Sequence, residues 1–409
     1  MNAVGTKDRV GVLDVIRETP RPVQYLLLGV LVNQLGAFVQ TFLVLYLVHR
    51  EFTIGHAGIA LTAYSAGAVL GTMLGGELTT RLGPRTTIVT AMTGSAIFVG
   101  LIPFLARPSL FPALVVVVAA AGLITQAYRP AAAVLLSDLM PAQHRVMGFS
   151  MMRIALNTGA ALGPLIAAGL ILVDWDLLYW VNAATALAYA ALALTLLPAV
   201  AAPAPEDEAK PAETQKNSSY AVIARDYRYH LFLASVLLGT LIYVQYTVAL
   251  PLNLARDGYP TLWYSGVLVT ASVVLILFEL QITSYVTRFR AGLVGAVGTA
   301  VMGLGVAGYA VAGHAIVLVL VFTALFVLGV MINGPTMFAY PSTFPGPVKA
   351  RYIATHQAVF GLGMALGPTL GVVAWEKLGT GVWPLAGVLG LFAAWFAYAG
   401  MPQKIEENH

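Results

Sequence analysis

Residues Gln126 to Pro164 read QAYRPAAAVLLSDLMPAQHRVMGFSMMRIALNTGAALGP. Two apolar segments flank a short polar turn, Pro141 to Arg145, and each carries an arginine, Arg129 in the first and Arg153 in the second. The second segment ends in a Gly-x3-Gly-Pro run made of Gly159, Gly163 and Pro164. Apolar segments of this kind suit hydrocarbon, and a charge inside one persists only where it serves a purpose.

The rest of the chain agrees. Its 409 residues are 59% hydrophobic and 10% charged, with a mean hydropathy of +0.82. Soluble domains carry about 25% charged residues, so the chain reads as an all-α polytopic membrane protein. Cysteine is absent, which removes disulfides and thiolate metal or redox chemistry. No Walker loop, His-Glu-x2-His pair or Gly-x-Ser-x-Gly turn occurs, so neither ATP drive nor hydrolase chemistry is encoded, and no enzyme and no cofactor is expected. The pI near 9.2 reflects basic residues in short loops between apolar segments. That is a topology signal and not a nucleic-acid surface. Residues 1–21 hold no apolar core of signal-peptide length, so no cleavable leader is expected.

A membrane helix needs roughly 20 apolar residues. Twelve segments qualify: 22–48, 57–79, 86–106, 109–139, 146–172, 177–199, 230–256, 262–287, 291–312, 315–343, 352–375 and 381–402. With the N-terminus inside, sixteen of the 22 Lys and Arg residues fall in the cytoplasm, and four (Arg50, Arg107, Arg256 and Lys377) fall outside. This asymmetry predicts a multi-pass protein of the cell (inner) membrane with both termini cytoplasmic. Pro203 to Tyr229 is polar and of mixed charge, which reads as a flexible cytoplasmic linker. The expected units are an N-terminal six-helix bundle (1–200), the linker (201–229) and a C-terminal six-helix bundle (230–409). The halves echo one another: Gln40 answers to Gln245 at an offset of 205, Thr80-Arg81 to Thr287-Arg288 at 207, and GAALGP to GMALGP (Gly363, Gly367, Pro368) at 204. A shared offset predicts duplication, with two pseudo-symmetric bundles around a central cavity, a recurring transporter plan.

The residues also carry a family resemblance. GELTTRLGPR, residues 76–85, is similar to the G-x-L-x-D-R-x-G-R-K signature of the major facilitator superfamily, with Gly76, Leu78, Arg81, Gly83 and Arg85 matching. Thr80 stands where that family usually has aspartate. Arg129 resembles the arginine of the family's second motif. Gly159, Gly163 and Pro164 resemble the G-x3-G-P-x2-G-G signature of its antiporter branch, with Ala167 and Ala168 replacing the last glycines. The resemblance covers nearly the whole chain. It implies a proton-coupled drug or metabolite antiporter that works as a monomer among membrane lipids and uses the proton gradient in place of a cofactor.

Arg129 lies about two-thirds along span four, where a charge costs at least ~2.5–3.5 kcal/mol, so it must face a cavity or a carboxylate. Glu279 is the acid placed deepest in the C-terminal half. A desolvated carboxylate that alternates between neutral and charged states is what proton coupling requires. The expectation is that Glu279 carries the proton and Arg129 tunes it or anchors substrate. A structural ion pair and a hydrogen-bonded Glu are the bland alternatives. Asp138, at the cytoplasmic end of span four, is expected to latch onto Arg81 and Arg85, as the resemblance implies. Glu77, near the same helix face as Thr80, is a candidate for the missing aspartate. Arg153 could pair with Asp138 or Glu77, or snorkel to the interface. Asn33, Gln40, Tyr243, Gln245 and Tyr246 are candidates for the substrate cavity, and the two Gly-Pro runs for helix kinks. Tyr46, Trp175, Trp180, Trp263, Trp375 and Trp383 read as an interfacial belt.

These expectations converge on a secondary transporter that exchanges protons for a lipophilic or amphipathic small molecule. A proton-coupled importer of peptides, sugars or other nutrients fits the same plan. So does a lipid flippase or a non-transporting membrane scaffold.

Overall fold

A chain crossing hydrocarbon must satisfy every backbone amide within itself, which leaves the helix as the economical solution for apolar segments. The computed structural model describes residues 17–199, 220–259, 261–312 and 315–401, and among them are helices, turns and no strand. Ten segments are long and apolar enough to cross a membrane. One of these, Val348–Gly400, doubles back at the 3-10 turn Gly379–Gly381, and the apolar helix Ala271–Val286 adds a crossing, so the described residues make twelve.

Span one is broken into Arg21–Leu35 and Val39–His49. Spans two and three are Ile54–Leu82 and Pro84–Leu105. Span four steps at Ala127, between Phe111–Gln126 and Tyr128–Leu139. Spans five and six are Arg145–Ile171 and Leu177–Leu196. Spans seven to twelve are Tyr227–Arg256, Thr261–Val286, Ala291–Ala307 (continued by Tyr309–Ala312), Ile316–Ala339, Gly346–Leu378 and Val382–Gly400. An even number of crossings puts both described chain ends on one face, here the terminal face.

The duplication seen as a sequence offset reappears as packing. Span one packs on five and six, two on four, and three on four and six; span seven packs on eleven and twelve, eight on ten, and nine on ten and twelve. The contacts between halves obey the same two-fold relation: two and four meet eleven, while eight and ten meet five.

Small residues allow these approaches. Lipid tails are as apolar as leucine, so helices in a bilayer associate by close backbone packing. Gly67, Gly71 and Gly75 stand four residues apart on span two, and a Cβ on each would strike the carbonyl of Ala119, Leu123 or Ala127 on span four. Gly122 answers from span four, packed on the carbonyl of Tyr64.

The Gly-Pro runs do related work. Spans five and eleven continue unbroken through Pro164 and Pro368, so the expected kinks are not breaks in the helix. Their glycines instead admit the neighbouring span: a Cβ on Gly159 would lie 2.7 Å from Gln34 Cβ, and one on Gly363 would lie 2.8 Å from Thr240. Gly163 and Gly367 lie one turn on, against Leu35 and Val244.

Two further expectations need correction. Residues 200–219 of the linker lie outside the described residues, but its last part forms the helix Tyr220–Arg225. Its YAVIA run is apolar enough to dock, with Ile223 buried and the Tyr220 hydroxyl donating to the Met73 carbonyl at 3.2 Å. Within the aromatic belt, Tyr46 and Trp383 are fully buried. The Tyr46 hydroxyl donates to Asp176 at 2.7 Å and Trp383 Nε1 to Asn253 at 3.0 Å, so their polar tips are satisfied by protein.

The glycine ladder makes a prediction. Gly71→Ala forces spans two and four apart and should lower stability by roughly 1–3 kcal/mol, the usual range for overpacking. Gly58→Ala, with open space around it, should leave melting of the detergent-purified protein unchanged.

Candidate functional site

Ser150 and Arg153 sit one turn apart on span five, as Glu279 and Thr283 do on span eight, so each pair shares a helix face. The two faces meet. Thr283 donates to Ser150 Oγ at 3.1 Å, and Arg153 Nε lies 2.8 Å from Glu279 Oε1. Glu279 is fully buried, and Arg153 is 11% exposed. The contact is a close ion pair, and the Ser150 hydroxyl stands beside the Glu279 carboxylate as a further donor. Span ten completes the cradle. A Cβ on Gly334 would occupy the space of the Arg153 guanidinium, so a larger residue there would displace the arginine. One turn on, the Phe338 ring lies 5.8 Å from the guanidinium carbon, within cation–π range.

Arg153 also lines a central cavity of about 320 Å³. Gln34, Arg129, Leu156, Asn157 and Ala160 share the N-terminal wall. The opposite wall comes from spans seven to eleven and includes Thr240, Tyr243, Leu275, Met302, Asn333, Phe360 and Met364. His356 lies among these residues, stacked on Phe232.

The halves are tied on the terminal side of this cavity. Glu77 of span two receives Arg81 of its own helix at 2.7 Å and Arg351 of span eleven at 2.9 Å. Asp138 of span four receives Lys349 of span eleven at 2.7 Å. On the far side the spans part. The far halves of spans five and eleven are buried on the stripes Gly159–Gly163–Ala167 and Gly363–Gly367–Gly371 and largely exposed elsewhere.

The sequence-predicted residues are thus redistributed. Arg153 partners Glu279, in place of Asp138, Glu77 or the interface. Arg129 lines the cavity without being that partner, and the Gln357 amide donates to its carbonyl at 3.4 Å. Asp138 bonds Lys349 and neither Arg81 nor Arg85, because Arg81 turns back to Glu77 and Arg85 donates to the Leu194 carbonyl. Of the five candidate cavity residues, Tyr243 lines the cavity. Asn33 is buried in the helix packing, and Gln40 is exposed beyond the break at Gly36, where the helix restarts with a new phase. Gln245 bonds the Leu241 carbonyl at 2.9 Å, and Tyr246 stacks on Phe326 at 4.8 Å.

Sequence reasoning missed Lys349, Arg351, Gly334, Gln34 and Asn157. A signal existed for two of them. Cations in the opening turns of a helix oppose its dipole, so Lys349 and Arg351 at the start of Gly346–Leu378 called for acidic partners.

Two six-helix bundles around a central cavity, tied by ion pairs on the terminal side, are the plan of a secondary transporter. The comparisons agree. The family model of the Major Facilitator Superfamily matches residues 26–368, and the chain belongs to that superfamily. The chain is 25% identical over 256 residues to an uncharacterized MFS-type transporter, YqjV, of Bacillus subtilis (strain 168), a match spanning 61% of this chain and 60% of that protein. Among solved structures, the proton:xylose symporter XylE resembles it with a TM-score of 0.71 at 14% identity, covering 94% of this chain and 97% of that one. The E. coli fucose:proton symporter FucP does so with a TM-score of 0.72 at 16% identity, covering 93% and 98%. The chain is therefore a multi-pass membrane transporter and not an enzyme, of a family that requires no cofactor.

Two predictions follow from this geometry. Removing one member of a buried pair typically costs about 3–5 kcal/mol, while replacing both with apolar groups is near neutral. Arg153→Met alone should therefore lower thermal stability sharply, and Arg153→Met combined with Glu279→Leu should recover most of it. The terminal-face bonds are partly exposed, where each is worth at most about 1 kcal/mol. Glu77→Gln with Asp138→Asn should thus shift the conformational balance by roughly tenfold. A cysteine placed at Gln357 in this cysteine-free chain would react correspondingly faster with an impermeant maleimide applied from the terminal face.

Proposed function

We propose that this chain is a proton-coupled antiporter that exports a lipophilic or amphipathic small molecule across the cell (inner) membrane, with its terminal face in the cytoplasm. The observation that carries this reading is the buried Arg153–Glu279 contact between spans five and eight. Such a pair gains little net stability, because desolvating two charges offsets their attraction. Its suitability lies in switching. It joins the two halves and can be switched by one proton.

The cycle follows from that placement. With Glu279 charged, the pair holds spans five and eight together beneath the cavity, and the terminal-face bonds keep that side shut. A proton entering from the far side neutralises Glu279 and removes its attraction for Arg153, so the terminal side can open. Once the proton leaves to the cytoplasm, substrate bound in the cavity accompanies the return of the charged pair to the arrangement seen here. Proton and substrate then cross in opposite directions. The Lys and Arg asymmetry between the faces supports the sidedness. The chain acts as a monomer in this scheme, since the cavity and both walls come from one polypeptide.

Glu279→Gln tests it in proteoliposomes carrying an imposed pH gradient. Uphill, gradient-driven transport should vanish, while exchange of substrate across the membrane without a gradient persists. Coupled transport at the wild-type rate would remove Glu279 from the proton path. Flux of substrate in the same direction as protons would make the carrier an importer.

A further inference from the structure

We infer that the cavity selects organic anions with an apolar body, and that the Arg129 guanidinium is the site that receives their negative charge. This deepens the proposed export function and rests on the central cavity being the transport site.

Charge balance leads to the ligand class. Two arginines line the cavity and no carboxylate does. Arg153 is matched by Glu279 behind the wall. Arg129 is in no ion pair among the described residues, and its buried Nε has no hydrogen-bond partner. Guanidinium cannot lose its proton, and the half-buried Arg129 presents a fixed positive charge to the cavity. The described residues offer it no counter-charge, and a ligand can bring one. A carboxylate or sulfonate meets the planar fork of guanidinium with two parallel hydrogen bonds, whereas an ammonium ligand meets only repulsion.

The two walls supply the second argument. The N-terminal wall also carries Gln34 and Asn157, whose amides can donate to a polar head group. Across the cavity, Met302, Phe360 and Met364 present an apolar, deformable surface suited to a hydrophobic body. A volume of about 320 Å³ falls at the small end of ligand pockets, matching a head group carrying one or two fused rings. The cationic pole thus comes from one half and most of the apolar pole from the other, whose wall also carries Thr240, Tyr243 and Asn333. A ligand bridging the poles also bridges the halves, which is what a carrier needs from its substrate.

The test uses three probes with one apolar body: 1-naphthaleneacetate, 1-naphthaleneacetamide and 2-(1-naphthyl)ethylamine. Binding to the purified transporter is read by thermal-shift titration, because a ligand specific for the folded state raises apparent stability. The expected order is anion, then amide, then amine, with the anion at least about tenfold tighter than the amide, a difference of about 1.4 kcal/mol. Arg129→Gln should reduce the anion-to-amide ratio to near unity while leaving amide affinity in place, and Arg129→Lys should retain part of the preference. Equal affinities, preference for the amine, no binding of the anion, or an anion preference that survives Arg129→Gln would each overturn the assignment. No pH gradient is involved, so loss of the Glu279 proton mechanism and loss of the anion site would be seen separately.

Discussion

Burying a guanidinium against a carboxylate between two separable bundles constrains everything around it. The Arg153 guanidinium packs directly on Gly334 of span ten, where a methyl group would fill the space it occupies. The contact with Glu279 requires spans five and eight to meet through small polar side chains, Ser150 and Thr283. It also leaves Arg129, the other intramembrane cation, without an internal acid. The charge economy of the cavity follows from which arginine Glu279 takes.

The remaining scaffold is close packing with little chemistry. The ladder of Gly67, Gly71 and Gly75 lets span two lie against the backbone of span four, and Gly159 and Gly363 do the same for spans five and eleven. Such interfaces suit rigid bundles that move as bodies, because backbone-to-backbone packing leaves few side chains to rearrange. The ties between bundles differ in kind. Beside the buried pair and the Thr283–Ser150 bond, they include partly exposed ion pairs at the terminal face, individually weak and easily exchanged with water, and close packing of Gly76 on Ala354.

The two halves share their architecture and divide the chemistry. Equivalent spans pack in equivalent ways, and Gly159 against Gln34 is mirrored by Gly363 against Thr240. Yet the cavity arginines both come from the N-terminal half, and the aromatic and methionine wall comes from the other. Duplication explains the shape, and divergence after it explains why both cavity arginines lie on one wall.

Hydropathy, the offset near 205 residues and the basic loops made the twelve spans and the two-fold plan legible, because each rests on local composition or chain periodicity. Glu279 and both arginines stood out for the same reason, as charges in hydrocarbon. Their partners were not legible. Span one breaks at Gly36 and span four steps at Ala127, and each interruption resets the helical phase, so Gln40 leaves the cavity that Gln34 lines. Pairings such as Glu77 with Arg351 or Asp138 with Lys349 join residues more than 200 positions apart, and only the docking of spans two and four on eleven selects them. The sequence by itself determined that this chain crosses a membrane as a duplicated helical bundle with a few intramembrane charges. Tertiary structure alone decided which charges neutralise one another and which one faces the cavity unpaired, because burial of a charge is local whereas its compensation depends on how the two halves dock.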